Sequence, residues 1–450
     1  VDGICSAYAH ALEILAQYQE RFESARSLRS SVKQRLQVVV AMQQYAKFAD
    51  PESPAFSPHE LQAVEAMFSA FGDFLSIAYI QEQVVDGEKR FFSCLIDSSC
   101  EQIPIEGHDE VYARRAKYRV ELPGFPILGH GKSDNQNCAV IFTRGEVLQM
   151  IDANQDAYFE DSLFLPSALQ EFCGPERTPK GRPGIVGFRE HIFSAVGLLG
   201  RIAADSEFTF GTMIQRTLDW PLNSRFHYGH PDLMDKLQVV QQGGVSKATR
   251  GLNLSEDIFA GLDLSLRGGW TVYREYFHVG KGRDMGFMSV LSFYAKVSMG
   301  NAEQAITRQW MRLGLHLELS QLLGIFYSHI GFYMNQCLVN RATKAFCFSA
   351  AIFALSAEVR EEFAPLAVEM ISSYFGYFYL LFVLASMLPF AFEVMLEEGG
   401  LAALWSLGSS LLALSPVFSA FQSKLMSHFF ETTLNYGGAQ YIPTGRGLAT

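Results

Sequence analysis

A chain of 450 residues has room for about three domains at the usual ~150 residues each. It is 49% hydrophobic and only 18% charged, against roughly a quarter charged in soluble domains. Such a chain buries enough apolar surface to exclude disorder, and its low charge argues against a freely soluble globule. The balance of 36 Lys+Arg against 47 Asp+Glu, a net charge of −11, disfavours a general nucleic-acid binder. The seven cysteines are scattered and form no CxxC pair, so zinc and thioredoxin-type chemistry lack their signature. The opening Val1-Asp2-Gly3 carries no Met and no cleavable signal pattern, and reads as part of something longer.

In chain order, residues 6–48 read as helical stretches. The runs 75–80 and 90–96 flank Asp86-Gly87, a hairpin signal. Short β-like runs follow at 117–122, 138–143 and 147–151. Helical patterns recur at 158–172, 254–267 and 301–313, and a Pro- and Gly-rich loop is expected at 174–187. Composition switches near residue 317. Residues 319–340 carry no Asp, Glu, Lys or Arg, 371–392 form a cleaner uncharged run of 22 residues, and Gly399 to Ser423 another of 25. A bilayer core of ~30 Å needs about 20 apolar helical residues. Membrane-spanning helices are therefore expected at 371–392 and 401–421. A third, diluted by Ser320, Gln321, His329 and Asn335, is expected at 319–340, and 345–357 is short enough to be re-entrant or interfacial. Buried helices of a large soluble protein are the other reading. The architecture expected is an α/β domain over 1–316, with a helical and hairpin lead-in (1–116) and a core (117–316), followed by a transmembrane helical bundle over 317–450.

Several motifs carry chemistry, each beside a plainer reading. Gly129-His130-Gly131-Lys132-Ser133 looks like the end of a phosphate loop, but Pro126 stands where the full pattern has glycine and no helix start is expected behind it. Lys132, followed by Asn135 and Asn137, suits a diphosphate or sugar clamp; a polar surface loop reads the same. Asp152 and Asp156 follow the apolar run 147–151, and ligands of open α/β sheets sit beyond strand carboxyl ends; a loop-capping Asp is the equal alternative. In Phe226-His227-Tyr228-Gly229-His230-Pro231-Asp232, a structural turn outweighs a metal site. Glu256 and Asp257 open a helix behind Ser255, either as acids favoured in a first turn or as a general base. Ile258, Leu262 and Leu266 would then face inward and Gly268-Gly269 close the helix. Lys281, Arg283 and Asp284, with Lys296, suit a diphosphate leaving group or a solvated basic hairpin. Gln304 and Arg308 fall i,i+4 on one helical face, with Trp310 beyond.

The order and wording of these blocks resemble the 1,3-β-glucan synthases, including callose synthases. The matching runs are 131–137, Ile141-Phe-Thr-Arg144-Gly-Glu146, 151–156, Arg189-Glu-His-Ile-Phe193, 226–232 and Gly243-Gly-Val-Ser-Lys-Ala248. They continue with Asn253-Leu-Ser-Glu-Asp-Ile-Phe-Ala-Gly261, Val279-Gly-Lys-Gly-Arg-Asp284, Ala295-Lys296, Glu303-Gln304 and Pro443-Thr-Gly-Arg-Gly447. The resemblance implies a nucleotide-sugar glycosyltransferase fold of the GT-A-like, two-lobed α/β type. It implies processive transfer of glucose from UDP-glucose to a growing β-1,3-glucan, with inversion and export through an adjacent transmembrane channel. By the same resemblance, Asp257 is the general base with Glu256 beside it, and Lys296 acts at the diphosphate. Lys132, Asn135, Asn137, Arg144, Asp152, Asp156, Lys281, Arg283 and Asp284 are substrate-binding residues. Glu303 is a further substrate-binding residue, and Gln304 to Arg308 with Trp310 loosely resemble the family's Gln-x-x-Arg-Trp element, which holds the acceptor end and pyrophosphate, with one residue more between Gln and Arg. The implied partners are UDP-glucose, the glucan chain, the lipid bilayer and a small regulatory GTPase, with no nucleic acid. An integral plasma-membrane protein with a cytosolic catalytic domain is implied, and a divalent cation such as Mg stays open as cofactor. Two alternatives stand beside this: a non-catalytic channel or scaffold subunit, and a synthase of another β-glycan such as cellulose or chitin.

Overall fold

The computed structural model describes residues 1–20, 25–108, 110–124, 126, 132–173, 181–194, 196–229, 231–241, 256–284, 286–355, 357–413 and 415–436. Some side chains within helices, those of Lys132 and Ser133 among them, fall outside this description. The fold is mixed α/β. Its strands are β1 (Val38–Ala41), β2 (Leu75–Val85), β3 (Glu88–Asp97), β4 (Gln102–Pro104), β5 (Tyr112–Arg114), β6 (Tyr118–Glu121), β7 (Val147–Gln149), β8 (Gln155–Ala157), β9 (Ile185–Ile192), β10 (Leu233–Asp235) and β11 (Thr271–Lys281).

The first sheet, in the order β1-β2-β3-β6, grows from the hairpin at Asp86-Gly87. Both turn residues have positive φ, 53° and 81°, as a two-residue loop matching strand twist requires. The register then runs unbroken from Val85↔Glu88 to Ser76↔Asp97. Helix Pro58–Phe71, its N-terminus capped by Ser57, lays Leu61, Val64 and Phe68 on one face, against Leu75, Ile77 and Ile96. Helix Lys132–Ala139 covers the other, placing Ala139 on Ala78 and Leu95. A helix therefore does start at Lys132, and a 3₁₀ turn, Val140–Phe142, follows it. The strand expected at 138–143 is thereby corrected: a short apolar run fits a buried helix end as well as a strand, and contact with the sheet decides.

The second sheet, β7-β10-β9-β11-β8, has two parallel strands near its middle, β9 and β11, in register from Thr271↔Ile185 to Lys281↔Ile192 with an irregularity between Arg274 and His278. Helix Asp2–Glu20 packs here, with Ile4, Ala7 and Tyr8 against Leu165, Phe172, Val186 and Phe277. Tyr8 also donates a 2.6 Å hydrogen bond to Gln149 Oε1. Helix Glu256–Leu266 buries Ile258, Phe259 and Leu262 in a further cluster with Phe226, Trp310 and Leu313. Gly268, at φ 87°, ends it.

From 287 to 436 the described residues are mostly helical, and the expected spans divide differently. The 319–340 run breaks between Leu319–Ser328 and Ile330–Leu355. His329 there has φ −132° and ψ −94°, with its buried ring hydrogen-bonded to Ser328 Oγ at 2.6 Å. The stretch 345–357, expected to be short, largely continues the long helix Ile330–Leu355. The 401–421 run is split between Gly400–Leu412 and Ser415–Tyr436, because Pro416 has no N–H for the Leu412 carbonyl. The parts Gly400–Leu412 and Val417–Thr432 are bent by 69° and are long and apolar enough to cross a membrane only together. The 371–392 run lies within helix Ala357–Glu398, and several of its side chains lie outside the described residues. Among the described residues no single helix is long and apolar enough to cross a membrane.

Candidate functional site

Helix Glu256–Leu266 approaches the segment 226–228 more closely than a side chain allows. A Cβ on Gly261 would stand 1.4 Å from the Phe226 carbonyl oxygen. This approach brings Asp257 Oδ2 to 2.9 Å from His227 Nε2. Asp257 Oδ1 accepts the Ile258 N–H at 2.9 Å, and the Asp257 carbonyl accepts from Tyr228 N at 3.4 Å. The Asp257 side chain is 22% exposed and that of His227 6%. Phe210 stands edge-on to the His227 ring at 5.1 Å. Trp310, on helix Arg308–Gly314, packs edge-on to Phe226 at 5.0 Å and lies 4.9 Å from His329. A cavity of about 340 Å³ opens beside Trp310, between Leu313, Leu322, Ile325, Phe326 and Ile330. The structure thus pairs Asp257 with His227, and Trp310 packs on the neighbouring Phe226. A carboxylate braced by one imidazole and still open to solvent can accept a proton from a hydroxyl within reach.

In the segment 226–232, Asp232 ties the chain to its neighbours. Asp232 accepts from Arg225 Nη2 at 2.6 Å, each side chain 1% exposed. It also accepts from the backbone N–H groups of Phe188, at 3.2 Å, and Gly229, at 2.6 Å. Gly187 leaves room for that guanidinium, since a Cβ there would stand 2.0 Å from it. A buried charge needs such pairing, and here the pairing anchors the His227 turn to β9. His230 lies outside the described residues.

A second centre forms where β8 meets β11. Gln155 lies opposite Lys281, and Asn154 and Gly282 exchange two hydrogen bonds of 2.7 Å. The 152–156 and 280–284 motifs are therefore neighbours. Lys281 Nζ lies 3.5 Å from Glu207 and 4.0 Å from Glu190. Arg283 is paired with Glu207 and sits 4.7 Å over the Phe293 ring. The solvated basic hairpin is thereby corrected: both cations are largely buried among carboxylates, because burial demands counter-charge. Asp284 accepts from Gly286 N and Ser289 Oγ at the start of helix Phe287–Ala305. The backbone N–H of Asp152 donates to Gln155 Oε1 at 2.6 Å, while Asp156 is exposed and its carboxylate lies where a Cβ on Gly3 would fall.

The remaining residues spread out. Asn135 and Asn137 are buried in the helix that covers the first sheet. Arg144 is exposed, its backbone N–H held by Gln37 Oε1 at 2.8 Å. Lys296 is half-buried on helix Phe287–Ala305, and Glu256 is buried. Gln304 and Arg308 do not share a helical face. The first helix ends at Ala305 and the next starts at Arg308, because Thr307 turns its N–H and hydroxyl back to the Gln304 carbonyl. Gln304 is buried and Arg308 exposed. Glu303 is 3% exposed, and burial pushes its carboxyl up to about 8. His227 as the partner of Asp257, Phe210, Glu190 and Glu207 all escaped the reading of the sequence. Glu190 stood in a quoted run without a role, and no spacing rule links the others to their partners. Among the described residues no group of three or more His, Cys, Asp or Glu could hold a metal ion.

The family model described as 1,3-beta-glucan synthase component matches residues 6–450, and the chain belongs to the 1,3-beta-glucan synthase family. It is 37% identical to a 1,3-beta-glucan synthase component of Cordyceps militaris, over 94% of this chain and 23% of that protein. Against a 1,3-beta-glucan synthase component of Saccharomyces cerevisiae the identity is 36%, over 94% of this chain and 25% of the relative. Callose synthase 12 of Arabidopsis thaliana is 39% identical over 86% of this chain and 22% of its own length. The chain spans about a quarter of the length of these curated relatives.

Proposed function

We propose that this chain is the catalytic segment of a membrane β-1,3-glucan synthase, with a GT-A-like transferase domain over 1–316. UDP-glucose is the donor, and the growing glucan is the acceptor. In the step proposed, Asp257 takes the proton of the acceptor hydroxyl while that oxygen bonds to C1 of the glucose. The bond from C1 to the UDP oxygen breaks on the opposite face, so the anomeric configuration inverts and UDP leaves with the electron pair. His227 orients Asp257, and Lys132 and Lys296 act on the diphosphate, where charge grows most in the transition state. No step is routed through a metal ion. The helical part beyond 317 sits at the bilayer and exports the product, and a small GTPase regulates the assembled protein.

The observation that carries this reading is the His227–Asp257 pair at 2.9 Å, next in the chain to Phe226, on which Trp310 packs. It is tested by Asp257→Asn in the full-length protein, assayed for UDP-glucose binding and for polymer. Binding close to wild type with polymer synthesis lowered about 10²–10⁴-fold is expected for loss of a positioned base. Polymer made at the wild-type rate would reduce Asp257 to a first-turn acid. Polymer cleaved only by glucanases specific for another linkage would reassign the product.

A further inference from the structure

Residues 197–219 form one continuous helical unit: Gly197–Phe208, a π-helical turn over Thr209–Ile214, and Gln215–Asp219. A π turn re-aims the side chains around it, and such turns concentrate at functional sites. This one carries Phe210 onto the His227 ring. It also sets Gly211 beneath Glu190, where a Cβ would stand 3.0 Å from the Glu190 side chain.

Helices from the last part of the chain hold both ends of this unit. Upstream, Arg201 Nη1 donates to Ser409 Oγ at 3.1 Å, on helix Gly400–Leu412. Downstream, Arg216 meets three carboxylates. Its Nε lies 2.6 Å from Glu275 of β11, and its Nη1 lies 2.5 Å from Glu397 and 3.5 Å from Glu393. Glu393 and Glu397 stand one turn apart near the end of helix Ala357–Glu398. Asp219 Oδ1 accepts the Tyr273 N–H at 3.0 Å, so the short helix carrying Arg216 also clasps β11. An isolated exposed ion pair contributes little. One guanidinium shared by a central strand and a long helix instead fixes their relative position, because its donors form a rigid fork.

We propose that Arg216 is a positioning residue: it relays the seating of helix Ala357–Glu398 through the π turn to His227 and Asp257, so that glucosyl transfer runs at full rate only when that helix is in place. This rests on Asp257 being the base. If the end of helix Ala357–Glu398 shifts, Glu393 and Glu397 leave the fork and the π turn loses its brace. Phe210 then no longer fixes the His227 ring, and Asp257 loses its orientation toward the acceptor. Lys132 and Lys296, proposed at the donor diphosphate, lie on other helices, so donor binding is expected to change little.

The test uses the full-length protein with Arg216→Glu, with Arg216→Glu combined with Glu397→Arg, and with Asp257→Asn alongside. Arg216→Glu is expected to lower kcat by about tenfold or more with KM for UDP-glucose within about twofold, the pattern of a lost transition-state contribution. The charge exchange should recover at least about threefold of the lost kcat, since the two sites are directly coupled, while Glu275 and Glu393 keep it below wild type. Arg216→Gln carries the same kinetic expectation if Arg216→Glu fails to accumulate. Wild-type kcat in these single variants, a rise in KM in place of the fall in kcat, or an exchange as slow as Arg216→Glu each overturns the relay. Asp257→Asn at the wild-type rate overturns the catalytic reading by itself. An inactive Asp257→Asn beside a fully active Arg216→Glu overturns the relay alone.

Discussion

The two charged centres of the α/β part differ in how their charges are balanced. At Asp257 one carboxylate meets one imidazole and remains partly open. At the β8–β11 junction two cations, Lys281 and Arg283, meet Glu207 and Glu190, with little exposure. Burial removes the water that would otherwise solvate a charge, so a sealed centre must neutralise itself. The residue types that suggest a phosphate clamp in the sequence thus serve internal balance here, while Asp257, at a helix start beside His227, stays partly exposed. Charge type alone does not separate a sealed counter-charge from an accessible one; exposure does.

The comparison breaks if the sealed centre tolerates loss of a partner. Glu207→Gln removes the carboxylate that Lys281 and Arg283 share, and breaking a buried pair costs about 3–5 kcal/mol. A large drop in Tm of the full-length protein is expected. Asp257→Asn, at a partly open site, should leave Tm nearly unchanged while polymer synthesis falls. An unchanged Tm in Glu207→Gln would show that the cations find water or another anion.

A smaller effect sharpens the open side. His227→Gln removes the imidazole that braces Asp257 but leaves the carboxylate itself. Loss of orientation without loss of the reacting group should reduce turnover by roughly 10–100-fold, less than Asp257→Asn. Equal losses in both variants would make His227 a partner in the proton transfer rather than a brace.

What could be read in the sequence is what local chemistry decides. Asp86-Gly87 specifies its turn by residue type, and β2 and β3 follow from it. Glu256 and Asp257 begin a helix that Gly268 ends, as acids in a first turn and a terminal glycine dictate. β9 and β11 escaped because their parallel pairing joins segments some way apart in the chain, and their inward residues lack the alternation of a half-exposed strand. The break between Gln304 and Arg308 escaped for the same kind of reason: Thr307 caps backward where the spacing continued a helix. The partnership of Asp257 with His227 depends on Gly261 admitting the Phe226 carbonyl, a tertiary contact with no local signature. The uncharged runs at 319–340 and 401–421 were legible as apolar, but their breaks at His329 and near Pro416 were not.

Glu303 supplies the limiting case of the comparison, a buried carboxyl with no ion pair to a cation among the described residues. It is 3% exposed, its Oε2 makes no hydrogen bond among the described residues, and burial raises it from 4.5 to about 8. In the folded protein it therefore keeps its proton until about pH 8, while the unfolded chain releases it near 4.5. The unfolded state binds fewer protons across that window, so this group's contribution to stability is complete below pH 4.5 and is lost as the pH rises toward 8. The slope is at most roughly 1.4 kcal/mol per pH unit. Glu303→Gln keeps the shape of the neutral acid and removes its titration. Thermal unfolding of the full-length protein at about pH 5 and pH 8 should therefore show the wild type losing more Tm than the variant. Parallel losses would place Glu303 in contact with solvent or a cation, and the rule that a sealed carboxyl must be paired or neutral would fail at this position.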